Sequence, residues 1–261
     1  MTEFSSMPCS ASETSKSDTV FEPLADHAFS FLCHKGMECF TRCCAALNLP
    51  LTPYDILRLK NRLGLPSDEF LNRHTDTRLD AHPRFPMVLL KMREEDKKCP
   101  FVTPEGCSVY EDRPGACRIY PIGRASMKVD QEKEAREKFF VVREAHCLGF
   151  SEQRRWTVEE WTEDQGLDEY NAMNDLWLEI ISSQRSLGPE KDIPRKMQMF
   201  FMASYNLDKF RKFVFESRFL DLFDVDTIMV EQLAEDDKEL MRLSFSWLKF
   251  SLFGLNTIRV K

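Results

Sequence analysis

Residues 99–118 read CPFVTPEGCSVYEDRPGACR. This stretch carries Cys99, Cys107 and Cys117 within an irregular, turn-rich run, and it sets the architecture expected around it. Pro114 fixes φ where a tight turn must present Cys117. Arg113 and Arg118 flank that cysteine closely; a guanidinium there donates to backbone carbonyls of a loop and offsets the charge of a thiolate. Both arginines read as loop scaffolding at least as readily as catalytic groups. Working outward, Cys33, Cys39 and the adjacent pair Cys43-Cys44 lie upstream, and Cys147 stands last. Eight of the nine cysteines therefore fall between positions 33 and 147, and Cys9 is a separate thiol near the start.

The rest of the composition is ordinary. The chain has 261 residues, 43% of them hydrophobic and 30% charged, with a formal charge of −7. That length suggests one or two domains, and the apolar fraction supports a sizeable core. The acidic balance argues against a general binder of nucleic acid or anionic membranes. The first 20 residues hold nine Ser or Thr and no apolar stretch of the kind an export signal needs. The greasy run Leu243–Phe253 includes Lys249 and is shorter than the roughly 18 residues of a membrane span. The expected compartment is the cytoplasm. Thiols there stay reduced, so a dense cysteine segment points to metal ligation or catalysis and not to disulfides.

Three regions follow from the patterning. Residues 1–27 are expected to be a Ser/Thr-rich flexible tail, residues 28–150 a cysteine-cluster metal-binding domain, and residues 151–261 a helical C-terminal region. The segment 33–147 has 20 basic against 17 acidic residues and is the only net-basic part, which suits a region whose ligating thiolates add negative charge. Thr52-Pro53 opens a short helix that Gly64 ends. Ser67 is expected to cap a second helix, with Phe70 and Leu71 on its apolar side. This helix–Gly–helix unit resembles a helix-turn-helix reader, but Asp68 and Glu69 stand where phosphates would be met, so DNA binding is not favoured. Pro86–Met92 reads as a strand, and Ala125–Val129 with Phe139–Arg143 as a hairpin. Thr157 and Glu160 form a capping box. Leu167, Tyr170, Met173, Trp177 and Ile180 recur at helical spacing. Longer helices are expected over about 194–216 and 226–251. Their phenylalanines, ten between Phe200 and Phe253, read first as core and second as a groove for a protein partner. The acidic run Glu235–Glu239 reads as a solvated face.

Soft metals take thiolates, four to a site for zinc or an iron–sulfur cluster. Eight cysteines suffice for two such sites, or for one site with other thiols beside it. Cys39 and Cys43, four apart, would share a face of a helical turn. The adjacent Cys43 and Cys44 diverge on most backbones and so suit two different sites. The chain has no C-x2-C, which excludes zinc-finger and zinc-knuckle signatures. It also has no C-x3-C-x2-C, P-loop, G-x-G-x-x-G or G-x-S-x-G, so no nucleotide site or catalytic residue is assigned. His34 and His146 neighbour cluster cysteines and are secondary ligand candidates, whereas His27, His74 and His82 have no such context.

The full pattern runs Cys33, Cys39, Cys43-Cys44, then Cys99-Pro-Phe, Cys107-x-Val-Tyr-Glu-x-Arg-Pro, Cys117-Arg and Cys147. It resembles the YkgJ-type cysteine-cluster family over about residues 30–150. The opening group is spaced more widely here than in that family. The resemblance implies zinc or iron chelation, with Cys33, Cys39, Cys43, Cys44, Cys99, Cys107, Cys117 and Cys147 as ligands. A similar cluster occurs in flagellin lysine-N-methylase proteins, an activity that nothing outside the cluster supports here.

The expected fold class is α+β: a small, irregular, metal-organised cysteine-rich domain with short helices and a small antiparallel sheet, followed by an all-helical region. The expected function is to hold zinc or an iron–sulfur cluster, in one or two sites, for redox or enzyme-assisting work. Two alternatives stand beside it. One is a structural zinc scaffold that presents its C-terminal helices to a protein partner. The other is a thiol redox sensor. No nucleic acid and no membrane are expected as partners.

Overall fold

The structure, a computed structural model, describes residues 19–24, 26–127 and 136–261. The chain begins with β1 (Thr19–Pro23), β2 (Ala28–Ser30), β3 (Pro50–Leu51), α1 (Pro53–Leu63), α2 (Ser67–His74), β4 (Thr75–Arg78) and β5 (Met87–Leu90). Next come β6 (Val102–Thr103), β7 (Gly106–Cys107), α3 (Gly115–Ile119), β8 (Ile122–Met127), β9 (Arg136–Glu144) and β10 (Arg155–Thr157). The remainder is helical: α4 (Val158–Asp164), α5 (Asp168–Ile181), α6 (Ile193–Tyr205), α7 (Leu207–Glu216), α8 (Phe219–Leu222), α9 (Thr227–Glu235) and α10 (Asp237–Phe253). The class is α+β with small antiparallel sheets and a helical C-terminal region, as the sequence predicts. The first 18 residues of the expected tail, Cys9 among them, lie outside the described residues, whereas Thr19–Pro23 pair with β9 as an edge strand.

Local sequence explains the elements that hold the cysteines. At α1, the Thr52 hydroxyl accepts from Asp55 N at 3.2 Å, and the Asp55 carboxylate accepts from Thr52 N at 2.8 Å. This is a reciprocal capping box with Pro53 in the first turn. Gly64, at φ 64°, takes the left-handed position that ends the helix. The run Met87–Leu90 is buried along its whole length because β5 is the central strand of the sheet β3-β5-β4. The expected hairpin is present as β8 paired with β9, with β1 on the far edge of β9; residues 128–135 lie outside the described residues. Among the described residues, no helix is long and apolar enough to cross a membrane.

Two apolar cores result. The larger joins α1, α2 and β5 to α5–α10, with Tyr54, Phe70, Tyr170, Phe200, Phe210 and Leu248 fully buried. The smaller gathers Phe29, Phe31, Ile122, Val141, Trp156, Val158 and Trp161 between the β1-β9-β8 sheet, the β10-β2 pair and α4. Cys99 and Cys107 pack on the larger core and Cys147 on the smaller, so the cysteine region occupies the seam between them. Ile119, at the end of α3, touches both.

Five sequence expectations are corrected. The stretch 194–216 divides at Asn206, whose side chain caps α7 by accepting from Lys209 N at 3.1 Å. The stretch 226–251 divides at Asp236, which accepts from Lys238 N at 2.7 Å and Glu239 N at 3.3 Å to start α10. The acidic run is thus more than a solvated face: it holds this cap, and Asp237 pairs with Arg211 at 2.5 Å. Short polar side chains compete with the helical backbone and place boundaries that apolar periodicity does not reveal. Ser67 does not cap α2 but begins it; its N–H donates to Asp208 at 2.6 Å, tying α2 to α7. Finally, residues 39–44 form tight turns and not an α-turn, with Arg42 N donating to Cys39 O, Cys44 N donating to Thr41 O, and Thr41 left-handed at φ 65°.

Gly149 lies directly beneath Phe31. A Cβ there would stand 2.4 Å from the Phe31 ring and 3.0 Å from Leu32 O. Phe31 is 3% exposed and has little room to retreat. Gly149→Ala is therefore expected to cost about 1–3 kcal/mol, read as a lower urea midpoint at unchanged m value.

Candidate metal centre

Each cysteine is held by a local device. Asp55 does more than cap α1: its Oδ1 accepts from Gly115 N at 2.8 Å, which fixes the start of α3 and hence Cys117. Burial pushes the Asp55 carboxyl up from its ordinary range, a shift opposed by the N–H groups of Gly115 and Thr52. Arg113 donates to Tyr110 O at 2.6 Å and to the Gln165 side chain, and lies over the Tyr110 ring. Arg118 donates to Gln165 O at 2.6 Å and to Glu111 O. Both are buried and scaffold the loop as expected. Arg113 also lowers the Cys107 thiol against the larger effect of burial.

The hairpin β6–β7 pairs Val102 with Cys107 across a turn in which Gly106 has φ 123°. Cys99 N donates to Cys44 O at 2.7 Å, and Ala46 N donates to Lys97 O at 2.7 Å. These bonds sew the opening cysteines to the second group. At the other side, Leu148 N donates to Cys39 Sγ at 3.3 Å, and Cys147 N donates to Glu144 O at 2.9 Å in the turn after β9.

Cys39, Cys43 and Cys147 act electrostatically on Cys33, and Cys99, Cys107 and Cys43 act on Cys117, so Cys43 is felt by both sets of thiols. Burial, then Cys43, Cys147 and Cys39, push the Cys33 thiol up to about 11. Burial, then Cys99, Asp55, Cys107 and Cys43, push Cys117 up to about 12. Cys117 nevertheless keeps some of its surface in contact with solvent. Cys43 is pushed up most, by its contact with Cys44, then by burial and by Glu144. Burial also raises Cys99, Cys107 and Cys147, the last partly relieved by Tyr120. Cys39 is buried and Cys44 half-buried.

The donor set suits a soft or borderline cation: reduced thiols whose negative forms repel one another, with Arg93 easing Cys99 and Arg113 easing Cys107. Beside them the Tyr120 hydroxyl donates to Cys147. Among the described residues, no three His, Cys, Asp or Glu side chains already converge closely enough to grip an ion, so ligation requires the thiols to turn toward a common point. His34 accepts from Gly36 N at 3.1 Å through Nδ1, a contact with its own turn. His146 Nε2 stands 3.4 Å from Glu144 Oε2. Asp55, Tyr120 and Glu144 were not identified as site residues from sequence. Asp55 reads there only as a helix cap, and Glu144 carries no mark beyond lying three positions before Cys147.

Residues 32–152 match the model of the CxxCxxCC family, described as a "Putative zinc- or iron-chelating domain". The match spans somewhat less than half of the chain. The match takes in all eight candidate cysteines and stops before β10, so the description bears on the cysteine region and not on the helices that follow. Zinc or iron chelation is the activity the family description suggests. Comparison with curated proteins and with solved structures returns no match.

Two outcomes test this geometry. Asp55→Ala strands the N–H groups of Thr52 and Gly115 at a cost of about 1–3 kcal/mol each, and is expected to speed the chemical labelling of Cys117. The second concerns pH. Cys33 titrates near 9.0 unfolded and near 11 folded. The folded state therefore holds more protons in this window, and the metal-free protein loses stability as pH rises from 9 to about 11. Denaturant melts at graded pH check the sign.

Proposed function

We propose that the cysteine region holds zinc or an iron–sulfur cluster in one or two thiolate centres, and that it serves a redox or enzyme-assisting role in the cytoplasm. The observation that supports this reading is that Cys43 acts on Cys33, Cys147 and Cys117 alike, while backbone bonds tie Cys44 to Cys99 and Leu148 to Cys39. Four ligands complete a zinc or cluster site. The bound group supplies positive charge to thiols that burial otherwise keeps protonated, and metal uptake releases their protons. The chain's own residues hold the thiols in place, through Asp55, Arg113 and Arg118 around Cys117 and the Leu148 N–H at Cys39.

A thiol redox sensor is less well supported. A sensor thiol is reactive when its thiolate is favoured, yet the resolved shifts here raise Cys33, Cys43, Cys99, Cys107, Cys117 and Cys147. The reading includes a protein partner on the C-terminal helices, where Leu222, Ile228 and Met229 are exposed, and no nucleic acid or membrane.

Anaerobic purification with metal analysis and an absorption spectrum tests the proposal. A cluster gives a brown protein with broad absorption near about 400 nm; zinc gives a colourless protein that loses stability on chelation. Purified protein free of metal, with eight titratable thiols and no uptake of zinc or iron, overturns it. Cys43→Ser, which alters the residue coupled to both sets of thiols, is expected to reduce bound metal more than Cys9→Ser, which is expected to leave it unchanged.

A further inference from the structure

The helices α6 and α7 border a groove of about 360 Å³, lined by Met197, Gln198, Phe201, Met202, Asn206 and Lys209. Met197 and Phe201, and likewise Gln198 and Met202, stand four positions apart on α6. They form a stripe turned away from the buried Phe200, Ala203 and Ser204. The three apolar side chains are half-buried: each packs on the larger core and leaves part of its surface open. Phe201 is steadied by an edge contact with the Tyr205 ring, at 5.5 Å between centroids. Asn206 is already used as the cap of α7.

The charge around this groove is mostly of one sign. Residues 193–215 carry Arg195, Lys196, Lys209, Arg211 and Lys212 against Asp208 alone, in a chain of net charge −7. Lys196 donates to Leu252 O at 2.8 Å, and Arg211 pairs with Asp237 at 2.5 Å. Asp208 is held by Ser67 N and Lys60 on α2 and α1. Among the described residues, Arg195, Lys209 and Lys212 have no carboxylate partner, and all three are exposed. Lys212 follows Lys209 by one turn of α7, and Arg195 precedes Gln198 by one turn of α6. The nearest acids in sequence, Asp192 and Glu216, stand at the outer ends of the two helices.

We infer that this groove docks an acidic amphipathic helix of a partner protein. Its apolar side chains lie on Met197, Phe201 and Met202, and its carboxylates face Arg195, Lys209 and Lys212. The inference rests on the protein-partner part of the proposed function, for which it names the place and the chemistry; it does not depend on the metal. Apolar grooves take the apolar face of a helix, and methionine adapts to the shape it meets. Complementary charge at the edges then selects the partner. A nucleic acid would satisfy the cations through its phosphates and leave the apolar floor unfilled. The exposed Ile228 and Met229 belong to a different stretch, residues 219–237, which has seven acidic and no basic residues and suits a partner of the opposite charge.

The test uses the full reduced chain with its metal as purified. The probe is a fluorescent helical peptide of about 15 residues, with Leu on one face and Glu on the other, followed by anisotropy. Binding is expected. It is expected to weaken about tenfold when Lys replaces Glu in the peptide, in Lys209→Glu/Lys212→Glu, and in Met202→Asp. Equal affinity for the two peptides, or unchanged affinity in both variants, overturns the inference. Preference for the Lys peptide, lost in Ile228→Ser/Met229→Ser, overturns the groove and leaves a partner on the C-terminal helices standing. No binding of either peptide overturns both. Displacement of the Glu peptide by a single-stranded oligonucleotide at equal concentration assigns the cations to phosphate and overturns the inference. So does self-association of the wild type that Lys209→Glu/Lys212→Glu abolishes, since the occupant is then a second copy. Metal content is expected to be the same in wild type and variants, and circular dichroism checks folding. If a variant does not fold, the wild type decides: a preference for the Glu peptide that fades as salt is raised supports the inference, and its absence overturns it.

Discussion

The Asp55 carboxylate holds two N–H groups from distant parts of the chain, Thr52 at the start of α1 and Gly115 at the start of α3. The helix α3 spans only Gly115–Ile119, far too short to persist alone, since helix nucleation is unfavourable and short helices depend on tertiary contacts. Its position is borrowed from α1, which is anchored in the larger core through Tyr54, Ile56 and Leu59. Arg58 reinforces the junction by pairing with Asp112 at 2.6 Å. Through this carboxylate a well-packed helix sets the place of Cys117, and with it one flank of the cysteine region. A buried carboxylate is a costly anchor unless fully bonded; here both oxygens are used.

The seam between the two cores explains why a thiol-rich region folds where it does. Neither core encloses the cysteines. The larger supports Cys99 and Cys107 from one side and the smaller supports Cys147 from the other, while backbone bonds from Cys44 to Cys99 and from Leu148 to Cys39 draw the two sides together. Thiols drawn together in this way ionise at a cost when no cation offsets them. The raised thiols express the same fact electrostatically: ionising any of them without a counter-charge works against its neighbours.

The helical region shows how far patterning reaches. Leu167, Tyr170, Met173, Trp177 and Ile180 are all buried, at the spacing the sequence displays. Phe200, Phe210 and Phe219 are core and not a ligand box. Asn206 and Asp236 divide what periodicity reads as two long helices, because a side-chain cap interrupts the backbone ladder while the apolar stripe continues on either side. Ser67 looks like a cap in sequence, and only the approach of Asp208, 141 residues later, shows its use.

The sequence by itself determined the α+β class, the capping boxes at Thr52 and Thr157, the buried strand at Met87–Leu90 and the candidate set of eight cysteines, because these depend on near-neighbour chemistry and on residue type. Only the tertiary structure decided that Asp55 serves two elements at once, that Cys99 is bonded to Cys44, and that Leu148 is bonded to Cys39. Those relations rest on contacts between residues up to 109 positions apart, such as Leu148 with Cys39. Spacing along a chain carries no record of which loops meet across a seam between two cores.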